Sequence, residues 1–543
     1  MTRCFFDVKG KASMESSMYG RKIIYTDFEE VSEQNVVAIL RDAMLVHRQN
    51  AMRCEYLLNY EAGVQPLMRE KTFRPDIDIQ CIDNVANEVT EFKLGFVWGN
   101  AITITQRNTE GKNDKAVGEL NDCYELDNFR QKTQALARFV EICGVAYEFV
   151  DINADYVEGE SAPFTIEPLD PRTSFIVRST KLGNKKILGV TYRQDTLGNY
   201  YFTCFSKDRR FEIQNMVKLI TPDNKEKEID KWNVTKTGDF NATNPIGDIP
   251  IIEWVRSTDR MGCFERQIPE MDNLNILVSD FSNDVDQNTQ AVWVTVDVDF
   301  PKDEQGNEVR PESGDWLQLY STKDGKTPGI KALANPYDYS GMLNNIVTRR
   351  ALILQKCDVP QRNDNSGGST GIAMSDATGW SSAESSACKE ESILSGCKMD
   401  EIRVVLKAIA NNPTVEKSSP LSKLKPIDVQ PSIKRQKTYE MTTKINAFAN
   451  AVSHGLDWKS VVNEINFFAD PQQVIVDSEE TMKRYLDKEF GSEEDKEQAL
   501  ENSVIPNNPN QPNLENSSSD PVNQIENSPN VDGMNTQKPD AEE

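Results

Sequence analysis

Histidine is nearly absent from this 543-residue chain, which has only His47 and His454. Its ten cysteines are scattered, and none forms a C-x-x-C pair. Structural zinc sites draw four Cys or His ligands from short spacings, so no zinc module is expected. The thiols read instead as free cysteines of a reducing compartment. Excess positive charge is absent too. Lys and Arg number 61 against 86 Asp and Glu, a formal charge of −25. A protein working through a general basic surface, such as a histone-like DNA binder, is thereby excluded. No apolar run approaches the ~20 residues that span a bilayer, and the mean hydropathy of −0.58 agrees with a soluble protein. The stretch MTRCFFDVKGKASMESS has no apolar core or small-residue cleavage site, so no signal peptide is read there.

Catalytic signatures are missing as well. There is no G-x-x-x-x-G-K-[ST] phosphate loop. GGSTG (367–371) matches the G-x-S-x-G nucleophile elbow, with Ser369 as nucleophile. That motif needs a buried strand before it, and the preceding RNDNS cannot form one. Asp280, Asp284 and Asp286 lie close together, but an EF-hand also needs a central Gly and a terminal Glu. They read as an exposed acidic helix face. In DVD (297–299) the two Asp share one face of a strand, again toward solvent. His47 sits in a strong helical pattern, where a satisfied surface or boundary histidine is expected. Nothing assembles an acid, a base and a nucleophile. The chain reads as a structural or interaction protein, not an enzyme, with no cofactor and no metal.

What is present is length and pattern. On a prior of about 150 residues per unit, the chain holds roughly three or four compact units. Apolar spacing predicts helices over about 32–60, 82–97 and 125–143, a strand at 101–107 and a polar linker at 108–122. Segments 145–152, 174–179, 187–194, 200–206 and 216–220 read as strands, with TLGN (196–199) as a hairpin turn. Residues 1–255 thus form helices followed by an antiparallel sheet, an α+β arrangement. A helix over about 264–287 follows, a rod of roughly 35–40 Å at 1.5 Å per residue. Phe264, Ile268, Met271, Leu274, Val278, Phe281 and Val285 make one apolar stripe along it. Asp272, Asn275, Ser279, Ser282 and Asp286 occupy the opposite face. An insert (291–335) with strands at 291–300 and 316–320 precedes a second rod at about 337–356. The polar stretch 363–386 is a long loop for a compact domain. Helices return at 387–410, from Met441 to Val452, at 458–468 and at 477–489.

From Gly491 onward there are twelve Asp or Glu and two Lys, a net charge of −10. Residues 503–543 hold almost no large apolar side chains, so this tail reads as disordered.

Several short motifs occur in one order. They are Tyr60-Glu-Ala-Gly63-Val-Gln65, a helix-then-strand element from Asn84 to Ile102, and Gly144-Val-Ala-Tyr147-Glu148. Leu169-Asp170-Pro171 with Phe175-Ile-Val177 follows, then Asn244-Pro-Ile-Gly247 with Ile249-Pro250-Ile-Ile252, and last Asp470-Pro471. In this order, and joined to a helix–insert–helix–loop–helix layout, they resemble the siphophage-type portal proteins of tailed bacteriophages over about residues 30–490. Ala101 stands where that family often has Pro, and the stretch after the second rod is unusually rich in Ser and Gly.

The resemblance implies an α+β portal fold with a wing (1–260), two stem helices (264–290 and 336–357) and a small α/β clip (291–335). It also implies a tunnel loop with its following long helix (358–411), a helical crown (412–490) and the acidic tail (491–543). It implies a head–tail connector of the virion, a closed ring of commonly twelve copies at one capsid vertex. Double-stranded DNA would pass through that ring without sequence specificity during genome packaging and ejection, with no membrane involved. Partners implied are further copies of the chain, the large terminase subunit, the head–tail adaptor and the major capsid or scaffolding protein, with assembly in the host cytoplasm. DNA-proximal residues are expected at Arg362, Asn363, Asn365, Ser366 and Ser369. Terminase-facing residues are expected on the clip turns at Asp303, Glu304, Glu308, Arg310 and Glu312.

Two physical points accompany this reading. Phosphate affinity rises steeply with each Lys or Arg, so a basic bore would trap DNA where an acidic chain with isolated cations lets it slide. Rods with an apolar stripe can pack on neighbours while their polar faces line a passage or meet solvent. The competing readings are another ring-forming connector or minor capsid component, and a metal-dependent nuclease built on the Asp clusters.

Overall fold

The computed structural model describes residues 20–67, 78–107, 114–220, 226–234, 243–289, 293–296, 305, 329–332, 338–361, 379–433, 435, 441–465 and 471–490. Val36, Ile39, Leu40, Ala43 and Met44 recur at helical steps and are all buried, and they open the long helix α1 (Val36–Glu61). Helices α2 (Val85–Val97), α3 (Asp114–Leu126) and α4 (Phe129–Cys143) follow. Asn84 caps α2, its side chain accepting from the Asn87 amide at 3.3 Å. Gly144 closes α4 at φ 72°, a left-handed conformation suited to glycine.

Strand β1 (Ile24–Thr26) lies parallel to β5 (Ser174–Ser179) at the edge of a six-stranded sheet. Antiparallel β6 (Lys186–Gln194), β7 (Tyr200–Phe205), β8 (Arg210–Ile220) and β9 (Glu226–Val234) complete it in sequence order. The hairpin expected at 196–199 joins β6 to β7. There the Asp195 carboxylate accepts from the Leu197 and Asn199 amides at 2.9 and 2.8 Å. The start of α1 packs in the core of this sheet. A second sheet has the order β10 (Ile251–Val255), β3 (Val145–Ile152), β4 (Phe164–Leu169). β3 serves two cores through strand alternation. Val145 and Tyr147 join the core of the six-stranded sheet, while Ala146 and Val150 join the core that also holds α3 and α4. A short strand β2 (Thr103–Gln106) pairs with β13 (Val429–Ser432), more than 300 residues later in the chain.

After β10 come α5 (Ile268–Thr289), the strand pair β11 (Trp293–Val296) and β12 (Gly329–Ala332), α6 (Tyr339–Lys356) and the 32-residue α7 (Trp380–Asn411). The short α8 (Pro420–Lys423) leads to β13. A separate compact unit begins at Tyr439. Its helices α9 (Met441–Ser453), α10 (Trp458–Ile465) and α11 (Pro471–Phe490) close over Val452, Trp458, Val462 and Ile475.

Several expectations change. Residues 114–122 of the expected polar linker belong to α3, whose Ala116, Val117, Leu120 and Tyr124 are buried. The strands β4 and β9 were not expected, and the sheet is not wholly antiparallel. α7 begins at Trp380, inside the stretch read as loop. Residues 412–433 pack with the first unit, where Asn412 donates to the carbonyls of Asn153 and Pro163 at 2.9 Å each. The second compact unit begins only at Tyr439. His47 is a core residue rather than a surface or boundary one. Its ring packs at a tilt on Phe175, and its Nε2 lies 3.0 Å from the Arg172 carbonyl. Burial lowers its pKa to about 4, against the opposing effect of that hydrogen bond. The nine described cysteines are free thiols. Among the described residues, no helix is long and apolar enough to cross a membrane.

Candidate functional site

α5 and α6 run antiparallel. Phe264, Met271 and Leu274 share a core with Ile353, Leu354, Cys357 and Val359, while at the other end Phe281 meets Tyr339 edge-on at 6.1 Å. Tyr60, at the exit of α1, stacks on Phe264 and donates from its hydroxyl to Asp272 at 2.8 Å. The apolar stripe of α5 is thus used within the chain.

Its polar face is used too, which corrects the expectation that it borders a passage or solvent. Asn275, Ser279 and Asn283, at four-residue steps, are buried beneath the extended segment 78–84. The Asp83 amide donates to Asn275 Oδ1 at 2.9 Å, the Cys81 amide to Ser279 Oγ at 3.0 Å and the Ile79 amide to Asn283 Oδ1 at 2.8 Å. Asn283 Nδ2 returns a bond to the Ile79 carbonyl at 3.0 Å. Four helical residues advance about 6.0 Å at 1.5 Å each, and two residues of strand advance about 6.6 Å. Alternate amides of an extended chain therefore keep pace with side chains at i, i+4 and i+8. The ladder continues into the Tyr60–Gln65 motif. Asn275 Nδ2 donates to Gln65 Oε1 at 2.6 Å, and Gln65 Nε2 donates to the Tyr60 carbonyl at 3.0 Å. Gly63, at φ 91°, lets the chain turn there. From α6, Arg350 pairs with Asp83 at 2.9 Å and with Glu88.

Two excursions leave this framework through closed bases. Residues 297–328 emerge from the β11–β12 pair, in which Trp293 faces Ala332 and Val296 faces Gly329. Residues 362–378 leave after α6 and return at Gly379. A Cβ on Gly379 would lie 4.0 Å from Pro360 Cα, and Ser382 Oγ donates to Asp358 at 2.8 Å, so the two ends meet. Trp380 locks the returning end edge-on against Phe92 and Phe96, at 6.0 and 5.8 Å. All ten residues named from the sequence fall on these excursions and outside the described residues. They are Asp303, Glu304, Glu308, Arg310 and Glu312 on the first, and Arg362, Asn363, Asn365, Ser366 and Ser369 on the second.

Behind the second excursion, α7 is held by buried ion pairs. Arg256 donates to Glu141 at 2.9 Å and also pairs with Glu390 of α7, which Lys93 approaches at 3.7 Å. Burial would lower the Arg256 pKa, but Glu141 and Glu390 hold the guanidinium charged. Further along, Lys398 and Glu401 of α7 pair at 2.7 Å with no exposure at all. At the rim, Lys186 reaches Asp400 and Lys407 reaches Asp248, at 2.8 and 2.6 Å. Among the described residues, no group of three or more His, Cys, Asp or Glu is placed to hold a metal ion. The arrangement positions and braces; it does not gather reactive groups.

Sequence reasoning missed the ladder and the buried ion pairs. The one available signal was polar Asn and Ser at four-residue steps opposite an apolar stripe. That pattern does not say which segment covers it.

Comparison with known protein families gives one match: the model of the family described as phage portal protein, SPP1 Gp6-like, matches residues 78–396. That span is more than half of the chain and runs from the 78–84 segment into α7. No curated protein matches the chain.

Proposed function

The chain belongs to the phage portal protein family, SPP1 Gp6-like, and from that membership we propose that its copies close into a ring of twelve around a DNA channel. It is a structural bacteriophage protein of the capsid vertex. The proposed parts are a wing over 1–260, a stem made of α5 and α6, a clip over 291–335, a tunnel loop between α6 and α7, and a crown toward the head interior over 412–490. The clip would meet the large terminase subunit first and the head–tail adaptor later, through Asp303, Glu304, Glu308, Arg310 and Glu312. Arg362, Asn363, Asn365, Ser366 and Ser369 would stand nearest the passing DNA. Assembly would take place in the host cytoplasm, with the major capsid or scaffolding protein as a further partner.

One observation carries the reading. The family match spans the antiparallel helix pair together with the base of each excursion. A loop offered to moving DNA needs a short polar tip on a rigid neck, and the meeting of Pro360 with Gly379 supports that role. Segment 362–378 holds one Arg against Asp364 and Asp376, too little positive charge to grip phosphate. Head-to-tail closure multiplies each weak contact around the ring, so modest patches suffice. The test replaces 363–370 with a rigid linker of equal length. Rings should persist while DNA packaging or retention falls. Normal packaging by that variant would contradict the tunnel assignment.

A further inference from the structure

We propose that Glu148 carries a proton and donates it to Glu401, a buried hydrogen bond that fixes α7 against β3. Glu148 lies on the face of β3 that carries Ala146 and Val150, and it is fully buried. Its Oε2 accepts from the Trp254 indole at 2.8 Å. Glu401 Oε1 accepts from Lys398 Nζ at 2.7 Å and from the Tyr124 hydroxyl at 2.9 Å. The two remaining oxygens, Glu148 Oε1 and Glu401 Oε2, are buried and have no donor among the described residues. A side-chain hydrogen bond joins the Glu148 carboxyl to that of Glu401.

The charges decide the protonation state. Lys398 Nζ sits 4.1 Å from the centre of the Tyr124 ring and 3.8 Å from that of Phe129, in contact with the negative faces that favour an ammonium. One ammonium against two carboxylates would leave a net negative charge at a site closed to water. A buried carboxyl in that position takes up a proton instead. A proton on Glu148 makes the site neutral and supplies the donor that this carboxyl pair lacks.

The groups facing Glu148 are Lys398 and Glu401 from α7, Tyr124 from α3 and Trp254 from β10, with the Phe129 and Phe164 rings packed edge-on against Tyr124. Burial pushes the Glu148 carboxyl well above its ordinary range, Glu401 adds to this, and Lys398 and Trp254 oppose it. The sign follows from a raised pKa in the folded state. The bound proton contributes fully below the unfolded value of 4.5, and its contribution is lost as pH rises through the raised folded value. α7 is therefore held less firmly at alkaline pH.

The test is infrared spectroscopy of the full chain carrying carboxyl-labelled glutamate, titrated from neutral to strongly alkaline pH. A protonated-carboxyl band should be present at neutral pH and disappear on the alkaline side. Glu148→Gln and Glu401→Gln should each lose it, because the amide N–H replaces the donated proton. Glu390, whose carboxyl burial also pushes up, is untouched by both variants, so the difference spectra isolate the pair. Glu148→Gln should also lose less thermal stability than the parent on going alkaline. Absence of the band from the parent at neutral pH, or its persistence in the variants, overturns the proposal. Should a variant fail to fold, absence of the band from the parent at neutral pH still overturns the proposal, and no outcome depends on ring formation.

Discussion

Replacing Asn275 with leucine tests how segment 78–84 is held on α5. Leucine is close to asparagine in size, so the change removes hydrogen bonds without opening a large cavity. Two bonds go, Asp83 N to Asn275 Oδ1 and Asn275 Nδ2 to Gln65 Oε1. Each net bond is worth about 0.5–1.5 kcal/mol, and a buried group left without a partner costs about 1–3 kcal/mol. Gln65 is buried and bears that penalty; Asp83 is half-buried, and its amide can turn to water. The sum is about 2–3 kcal/mol of local stability. Asn283→Leu breaks two bonds to Ile79, which is 40% exposed, and one to the Ser279 carbonyl of its own helix, which keeps its backbone partner, so about 1 kcal/mol is expected. A chain of two compact units does not give one global unfolding free energy, so the assay is native hydrogen exchange read peptide by peptide. At about 1.4 kcal/mol per decade, Asn275→Leu should speed exchange across 78–84 by roughly 25-fold or more, and Asn283→Leu by roughly fivefold. Unchanged exchange in that segment, or equal acceleration over the whole first unit, would refute the ladder as its anchor.

Two further predictions concern charge and assembly. Burial would raise the Glu253 pKa, but Arg260 and Arg178, each at 2.7 Å, outweigh it and hold the group at about 2 against 4.5 unfolded. That difference contributes roughly 3 kcal/mol above the unfolded value and is lost as pH falls toward the folded one. Glu253→Gln should therefore melt lower at neutral pH and show a flatter acid limb, whereas parallel melting-against-acidity curves would contradict the pairing. On α6, Leu343 and Val347 lie one turn apart and are 51% and 58% exposed. Changing both to Asp should abolish rings in light scattering while leaving the circular dichroism of the single chain intact; undiminished rings would place the contact between subunits elsewhere.

Elements carried by strong apolar pattern were readable before any coordinates. β3, β5, β6 and β7 are dense in Val, Ile, Phe and Tyr, and the long stripes of α1 and α5 show the helical period without ambiguity. α3 was hidden because Val117 and Leu120 are its only strongly apolar residues before Leu126, and Gly118 stands between them. β9 was hidden because an edge strand of sequence EKEIDKWNV needs few apolar positions, though its Trp232 stacks on Phe202 at 5.7 Å. β2 and β13 find each other across the chain, which no local pattern reveals. The polar face of α5 shows the limit most clearly. Asn275, Ser279 and Asn283 look like solvent-facing residues until segment 78–84 lies over them, because a hydrogen-bonding side chain does not announce its partner. The short motifs around Tyr60 and Gly144 mark the end of α1 and the start of β3, and the one around Asn244 holds a turn. Asn244 Nδ2, for example, ties the Ser206 carbonyl to the Asp248 carbonyl, at 2.9 and 2.6 Å.

The most direct measurement is electron microscopy of the purified protein combined with light scattering. The account predicts annular particles with an open centre and a mass near twelve times 61.4 kDa. Solitary 61.4 kDa particles under all conditions, together with filled heads in phage lacking this protein, would contradict it.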